Sequence, residues 1–224
     1  MSTLAPRVLT VSEGRHALYT GFKVLAFAAI LAVALAFLAK YAFHYYIQYT
    51  QAAFNRGGAH YWEMRGWLLM HVSGGTNALL SGPWQFWTGF RVRYVRLHRF
   101  TGYVFLVSVA VASAAAVRLA IGTTFGWAFG FSLLVNAAAW ITTTTMAYYA
   151  IRKGRVQIHK EWMVRAYIIT FGFVSFRLLN DYGPTSHLRP ITDRILTISW
   201  ADWVLPLLAA EVLMQVRGMR SRRV

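Results

Sequence analysis

The sequence of 224 residues contains no cysteine. That absence excludes disulfides, thiolate zinc sites, iron-sulfur clusters, covalently attached c-type haem and thiol catalysis within the chain. A metal or cofactor must therefore be held by His, Met, carboxylates or backbone groups. Acidic residues are also scarce, at 7 Asp and Glu together. So few carboxylates argue against a multi-carboxylate proton or cation pump, although a uniporter does not need them.

Charged side chains of either sign make up only 13% of the sequence, whereas 57% is hydrophobic. Globular chains average roughly 25% charged residues, so this chain has too few to solvate a soluble surface. Lipid is therefore the predicted solvent for most of its surface. The net charge of +16 would indicate nucleic acid in a soluble protein. Here the basic residues follow membrane topology, and no nucleic-acid partner is expected.

Signature motifs of common enzyme classes are also missing from the sequence. It contains no phosphate-cradling glycine loop followed by Lys and Ser or Thr, and no dinucleotide glycine fingerprint after a strand. Nothing marks a serine as a nucleophile. The sequence therefore leaves open whether the chain is an enzyme and which reaction it would carry.

Long apolar stretches are what the sequence does contain. A bilayer core of roughly 30 Å needs about 20 apolar residues per helix. The first stretch is longer than a secretory core and lacks a small-residue cleavage signal, so it is interpreted as an uncleaved span. We predict an all-α membrane helix bundle, a single transmembrane domain over 1–224. Its six predicted spans are 22–44, 66–89, 100–121, 127–151, 162–180 and 198–216.

The distribution of basic residues predicts the orientation. Six spans place both termini on one face of the membrane, together with the second and fourth loops. Most of the 23 Lys and Arg fall on that face. By the positive-inside rule, the N- and C-termini are therefore predicted to be cytoplasmic, with membrane lipid around the bundle.

His98 and His159 stand at the cytoplasmic starts of two parallel predicted helices, followed by Arg99 and Lys160. Neutral imidazoles that face each other can ligate a haem iron or another metal. Arg99 and Arg165 are candidates to pair with haem propionates, or else to bind anionic lipid or set the orientation. The alternative is that both histidines are interfacial anchors at helix ends.

His71 lies near the outer end of the second predicted span. At 1.5 Å per residue it is roughly 25 Å from His98 along the membrane normal, too far to share a ligand. If it binds a second cofactor, its partner must come from the outer side. His44 is the best placed candidate there, and His60 and His187 are the others.

The second span is unusually rich in small, polar and helix-breaking residues, among them Asn77, Pro83 and Gln85. We expect it to lie inside the bundle. One interpretation is that its small residues allow close packing against neighbouring helices. The other is a broken helix whose free carbonyls line a cavity for a solute.

Two histidine-centred motifs and the residues around them form a pattern that resembles the bacterial integral-membrane family called domain of unknown function 2306 (DUF2306). The residues of this pattern are His71, Gly75, Gly82-Pro83-x-Gln85-Phe86, Arg91, His98-Arg99-x-x-Gly102-Tyr103, His159-x-x-Trp162-Met163-x-Arg165 and Arg177. The resemblance covers about 67–177 and leaves the first helix (22–44) and the last helix (198–216) outside. It implies a multi-pass protein of the bacterial cytoplasmic (inner) membrane and no settled activity. A pattern built on three histidines favours the haem or metal interpretation.

The leading hypothesis is a membrane-embedded electron-transfer module. In it, b-type haem is held by His98 and His159, with a second centre at His71, and electrons are exchanged with quinone or a redox partner protein. The alternatives are a cofactor-free small-molecule transporter and an assembly or anchor subunit of a larger membrane complex.

Overall fold

The computed structural model describes residues 11–43, 46 and 62–221, which form helices and no β-strand. The prediction of an all-α fold is confirmed. The helices are α1 (Val11–Phe37), which continues as a π-helical segment (Leu38–Ala42), α2 (Arg65–Phe86), α3 (Thr88–Arg93), α4 (Val95–Ile121), α5 (Trp127–Arg152), α6 (Val156–Tyr182) and α7 (Ile191–Ser221), with a 3₁₀ turn at Pro184–His187.

Four helical segments are long and apolar enough to cross a membrane: Thr20–Ala42, Val95–Ile121, Val156–Tyr182 and Ile191–Met219. α2 and α5 are not among them, although their lengths suit a bilayer at roughly 33 and 39 Å. Both helices carry small and polar side chains that are buried against other helices. The count of six spans and the cytoplasmic termini stay predictions.

Four helices form the centre of the fold as a ring. α2 packs along α4, α4 against α5, α5 against α6, and α6 against α2. α4 and α6 therefore lie diagonally across the ring. α7 covers α6 and α5 from outside, and α1 lies beside α2. The buried core includes Phe105, Trp140 and Ile169, one from each of α4, α5 and α6.

Small residues in α2 allow its close approach to α4. A Cβ at Gly74 would stand 2.7 Å from the carbonyl oxygen of Ser108 and 2.9 Å from Cβ of Ala112. This favours the close-packing interpretation of the second span. α2 runs as one helix from Arg65 to Phe86, so the broken-helix interpretation is wrong for this structure.

Pro83 lies within α2 and has no N–H to give to the carbonyl four residues earlier. That carbonyl belongs to Leu79, and it accepts a hydrogen bond of 3.2 Å from the hydroxyl of Tyr167 on α6. The Tyr167 ring lies where a Cβ of Gly82 would be. The Tyr167 ring thus occupies the space beside Gly82, and its hydroxyl bonds the carbonyl that Pro83 leaves without a donor.

The helix ends differ from the apolar stretches. α6 begins at Val156, six residues before the predicted 162–180, and α7 begins at Ile191, before the predicted 198–216. After α2, Trp87 is extended and breaks the predicted 66–89 span before α3 begins. Hydropathy locates the part of a helix that suits lipid, whereas charged turns continue the helix beyond it.

α1 packs on the rest of the fold at Phe27, at the buried Ala34 and at the π-helical segment. Its Phe27 packs against Trp87 after α2, with ring centroids 4.9 Å apart. At the other end, Lys40 in the π-helical segment lies 3.6 Å from the carboxylate of Asp181 on α6. Between these contacts most of its described surface is exposed.

Candidate functional site

His98 and His159 lie at the same end of the bundle. α4 and α6 are both antiparallel to α5, so the two helices begin on the same side, and each carries its histidine in its first turn. The two imidazoles are close enough for their charges to interact. We call this the basic end, because it also carries the exposed Arg96, Arg99 and Lys160, and the opposite end the distal end.

The ring of His159 is oriented by a backbone carbonyl. Its Nδ1 donates to the carbonyl oxygen of Ala147 on α5 at 2.8 Å. A carbonyl can only accept, so the proton sits on Nδ1 and the lone pair of Nε2 is free. Histidines that ligate metals are commonly fixed in this way by a bond from the other ring nitrogen.

His98 has a buried ring nitrogen, Nδ1, without a hydrogen-bond partner among the described residues. A buried polar atom left unpaired is unfavourable by about 1–3 kcal/mol. The backbone beside it is held by α2: Gln85 donates to the hydroxyl of Thr101 at 2.8 Å and to the His98 carbonyl at 3.5 Å. A Cβ at Gly102, one turn later, would meet only the Gln85 side chain within 4 Å. The Gln85 side chain thus packs over this turn of α4.

Arg165 and Arg99, the two arginines predicted to pair with haem propionates, have different surroundings. Arg165 donates from Nε and Nη2 to one carboxylate oxygen of Glu211 on α7, at 2.9 and 2.6 Å, and lies over the Trp162 ring. Sequence reasoning missed Glu211, which lies 46 residues away and outside the motif. Arg99 is exposed at the basic end, and its charge and that of Arg91 act on the His98 imidazole. We therefore add Arg91 to the candidate site. In the sequence it was only one residue of the DUF2306-like pattern.

His71 joins three helices. Its Nδ1 donates to the carbonyl of Ala112 on α4 at 2.9 Å, and its ring meets Phe173 of α6 edge-on at 5.0 Å. These contacts give the residue a packing role at the crossing of α2, α4 and α6, with Nε2 free as in His159.

The predicted partners of His71 are not brought to it by the described part of the chain. His187 ends the 3₁₀ turn between α6 and α7 and is exposed. His44 and His60 lie outside the described residues. A second centre at His71 stays a prediction.

No group of three or more His, Asp or Glu side chains gathers for a metal ion within residues 11–43, 46 and 62–221. Ions bound by protein alone commonly take three or more such ligands. Haem iron is different, because the porphyrin supplies most of its ligands and the protein adds only the axial ones. Two imidazoles at one end of the bundle therefore match the number of axial ligands that haem takes better than the needs of a bare metal ion.

Two shallow cavities lie away from the histidine pair. One, of about 320 Å³, is lined at the distal end by Glu63, Arg65, Gly66 and Trp67. The other, of about 200 Å³, is a mostly apolar groove between α4 and α5, with Val109, Thr144 and Tyr148 in its lining. Neither lining includes His98 or His159.

Comparison with known proteins identifies the family. A family model described as "Predicted membrane protein (DUF2306)" matches residues 68–214, about two thirds of the chain. The match continues beyond Arg177 and includes most of α7, which the sequence motifs had left outside. No curated protein and no solved structure matches. With its apolar helices and this match, the chain is a membrane protein that belongs to the DUF2306 family.

Proposed function

We propose that this protein is an electron carrier of the bacterial cytoplasmic membrane that binds one b-type haem between His98 and His159. The observation that carries the proposal is the position of the two imidazoles, which stand at the same end of diagonal helices. The Nε2 of His159 is free, and a buried nitrogen of His98 has no partner.

Diagonal placement matters because neighbouring helices leave no room for a planar ring between them. Packed helices lie roughly 8–10 Å apart, so diagonal members of a square ring are separated by roughly 11–14 Å. An imidazole on each helix then reaches about halfway across.

The surrounding charges suit an anionic cofactor. Arg91 and Arg99 act electrostatically on the His98 ring, and guanidinium groups form strong hydrogen bonds with carboxylates such as propionates. The bond from His159 to the Ala147 carbonyl fixes the imidazole and makes it a better electron donor to a metal. Bound haem supplies one-electron oxidation and reduction. Quinone in the bilayer or a redox protein at the basic end is the proposed partner.

An absorption spectrum of the detergent-purified protein, oxidised and then reduced with dithionite, tests the proposal. We expect a reduced-minus-oxidised b-type signal corresponding to one haem per chain. Replacement of His98 or His159 by Ala should remove the signal from protein that remains folded. His187→Ala is the matched control, since that histidine is exposed at the distal end, and it should keep the spectrum.

A colourless wild-type protein that takes up no added haem would contradict the haem proposal. The transporter alternative would then be tested by solute flux, with substitutions at Asn77 and Gln85. Both side chains already have structural bonds, from Asn77 to the Ser73 carbonyl at 2.9 Å and from Gln85 to Thr101. These bonds favour a packing role for the polar groups of α2.

A further inference from the structure

Asp202 is a buried carboxyl group near the middle of the apolar segment Ile191–Met219. Its relative exposure is 7%. The side chain faces α6 at Gly172, where an added Cβ would lie 3.5 Å from Oδ2. The carboxyl group therefore lies in the packed interface between α7 and α6.

Among the described residues, no ion pair neutralises the carboxyl group. Its Oδ1 has no hydrogen-bond partner there either. The structure places Arg118 against the sulfur of Met64 at 3.6 Å and the Arg177 guanidinium over the Tyr41 ring at 5.8 Å. An ionised carboxylate without a partner is strongly unfavourable in an apolar interior, and such groups take up a proton instead.

The charged residues on the helices around Asp202 lie several residues away from it along each helix. α5 has no charged side chain before Arg152 at its basic end. On α6, the nearest charged residues on either side of Gly172 are Arg165, which is paired with Glu211, and Arg177. On α7, Asp193 and Arg194 lie in the first turn at the distal end.

Hydroxyl groups lie beside Asp202 toward the distal end. Ser199 is three residues earlier on α7 and therefore on the same face of the helix. Its Oγ is 2.8 Å from Oγ of Ser132 on α5, and both serines are buried. Ser132 is in the second turn of α5, close to the distal end. Each hydroxyl also lies within hydrogen-bond distance of a carbonyl on its own helix, 2.7 Å from that of Phe129 and 2.8 Å from that of Leu196, so the pair leaves Oδ1 of Asp202 without a donor.

We propose that Asp202 is a proton-binding site inside the membrane, where its carboxyl group is held in the neutral form. A proton from water forms an O–H bond with one carboxylate oxygen of Asp202. Release reverses the step, so no other reactant is needed. The site is separate from the histidines, and its test does not depend on haem.

Infrared spectroscopy of the purified full-length protein at neutral pH is the test. We expect a carboxylic-acid C=O stretching band, above the amide I band, that shifts to lower frequency in D₂O. Asp202→Asn should lose this band. Asp193→Asn is the matched control, because that aspartate is exposed on the same helix and its loss should leave the band intact. A wild-type spectrum without the band would overturn the proposal.

A further variant makes the result decisive. Asp202→Glu keeps a carboxyl group, so its band should persist at a shifted frequency even if Asp202→Asn does not fold. If the band is identical in wild type and Asp202→Glu, it belongs to another carboxyl group and the assignment is wrong.

Discussion

Tyr167→Phe provides a sharp test of how α2 and α6 fit together. The change removes only the hydroxyl, so the ring keeps its place beside Gly82 and its contact with Phe86, whose centroid is 5.5 Å away. The Leu79 carbonyl then loses the donor that replaces the missing N–H of Pro83. An unpaired buried carbonyl is unfavourable by about 1–3 kcal/mol. Because side-chain bonds in membrane proteins average about 0.6 kcal/mol, we expect a loss of about 1 kcal/mol in the free energy of unfolding.

The same change in a Pro83→Ala background separates this explanation from simple loss of packing. Alanine restores a backbone N–H that can bond the Leu79 carbonyl, so the Tyr167 hydroxyl becomes redundant. We expect the Tyr167→Phe effect to fall below about 0.5 kcal/mol there, giving a coupling energy of at least about 0.5 kcal/mol. Reversible unfolding in mixed detergent micelles, followed by tryptophan fluorescence, measures both values. Equal losses in the two backgrounds would refute the argument.

Further substitutions test other contacts by the same unfolding measurement. Gly74→Ala should destabilise the protein by about 1–3 kcal/mol, because its Cβ would press on the backbone of α4, whereas Gly66→Ala, in open space, should be neutral or slightly stabilising. Arg165→Gln should remove about 1 kcal/mol, and adding Glu211→Gln should change little more if the two form one pair. Trp140→Phe should remove about 1–2 kcal/mol with its buried indole hydrogen bond, and an unchanged stability would show that bond to be dispensable.

The sequence predicted the helical class and where the helices lie, because lipid demands long apolar stretches. It could not predict the register of one helix on another. The approach of Gly74 to α4 and the bond from Tyr167 to a carbonyl on α2 are tertiary contacts. The end of α2 at Trp87 was also not predictable, because no Gly or Pro at that position indicates a break.

Only part of the candidate site could be predicted from the sequence. Alternating helix directions were enough to predict that His98 and His159 share one end. The bond from His159 to the Ala147 carbonyl was not predictable, because every residue has a carbonyl and its orientation depends on the fold. Asp202 belongs to none of the motifs in the sequence. Its isolation results from the side on which α7 packs, which a single sequence does not encode in any local pattern.

The burial of α2 and α5 affects how the protein is made. Neither helix is apolar enough to be counted among the segments suited to lipid, and each hides its small or polar face against its neighbours. During membrane insertion, such segments are stable only when a more apolar helix such as α4 shields them. We therefore expect α2 and α5 to associate with their neighbours during insertion, while the chain is still leaving the translocon. A substitution that loosens α2 from α4 should lower the amount of protein inserted before any defect in the finished bundle can be observed.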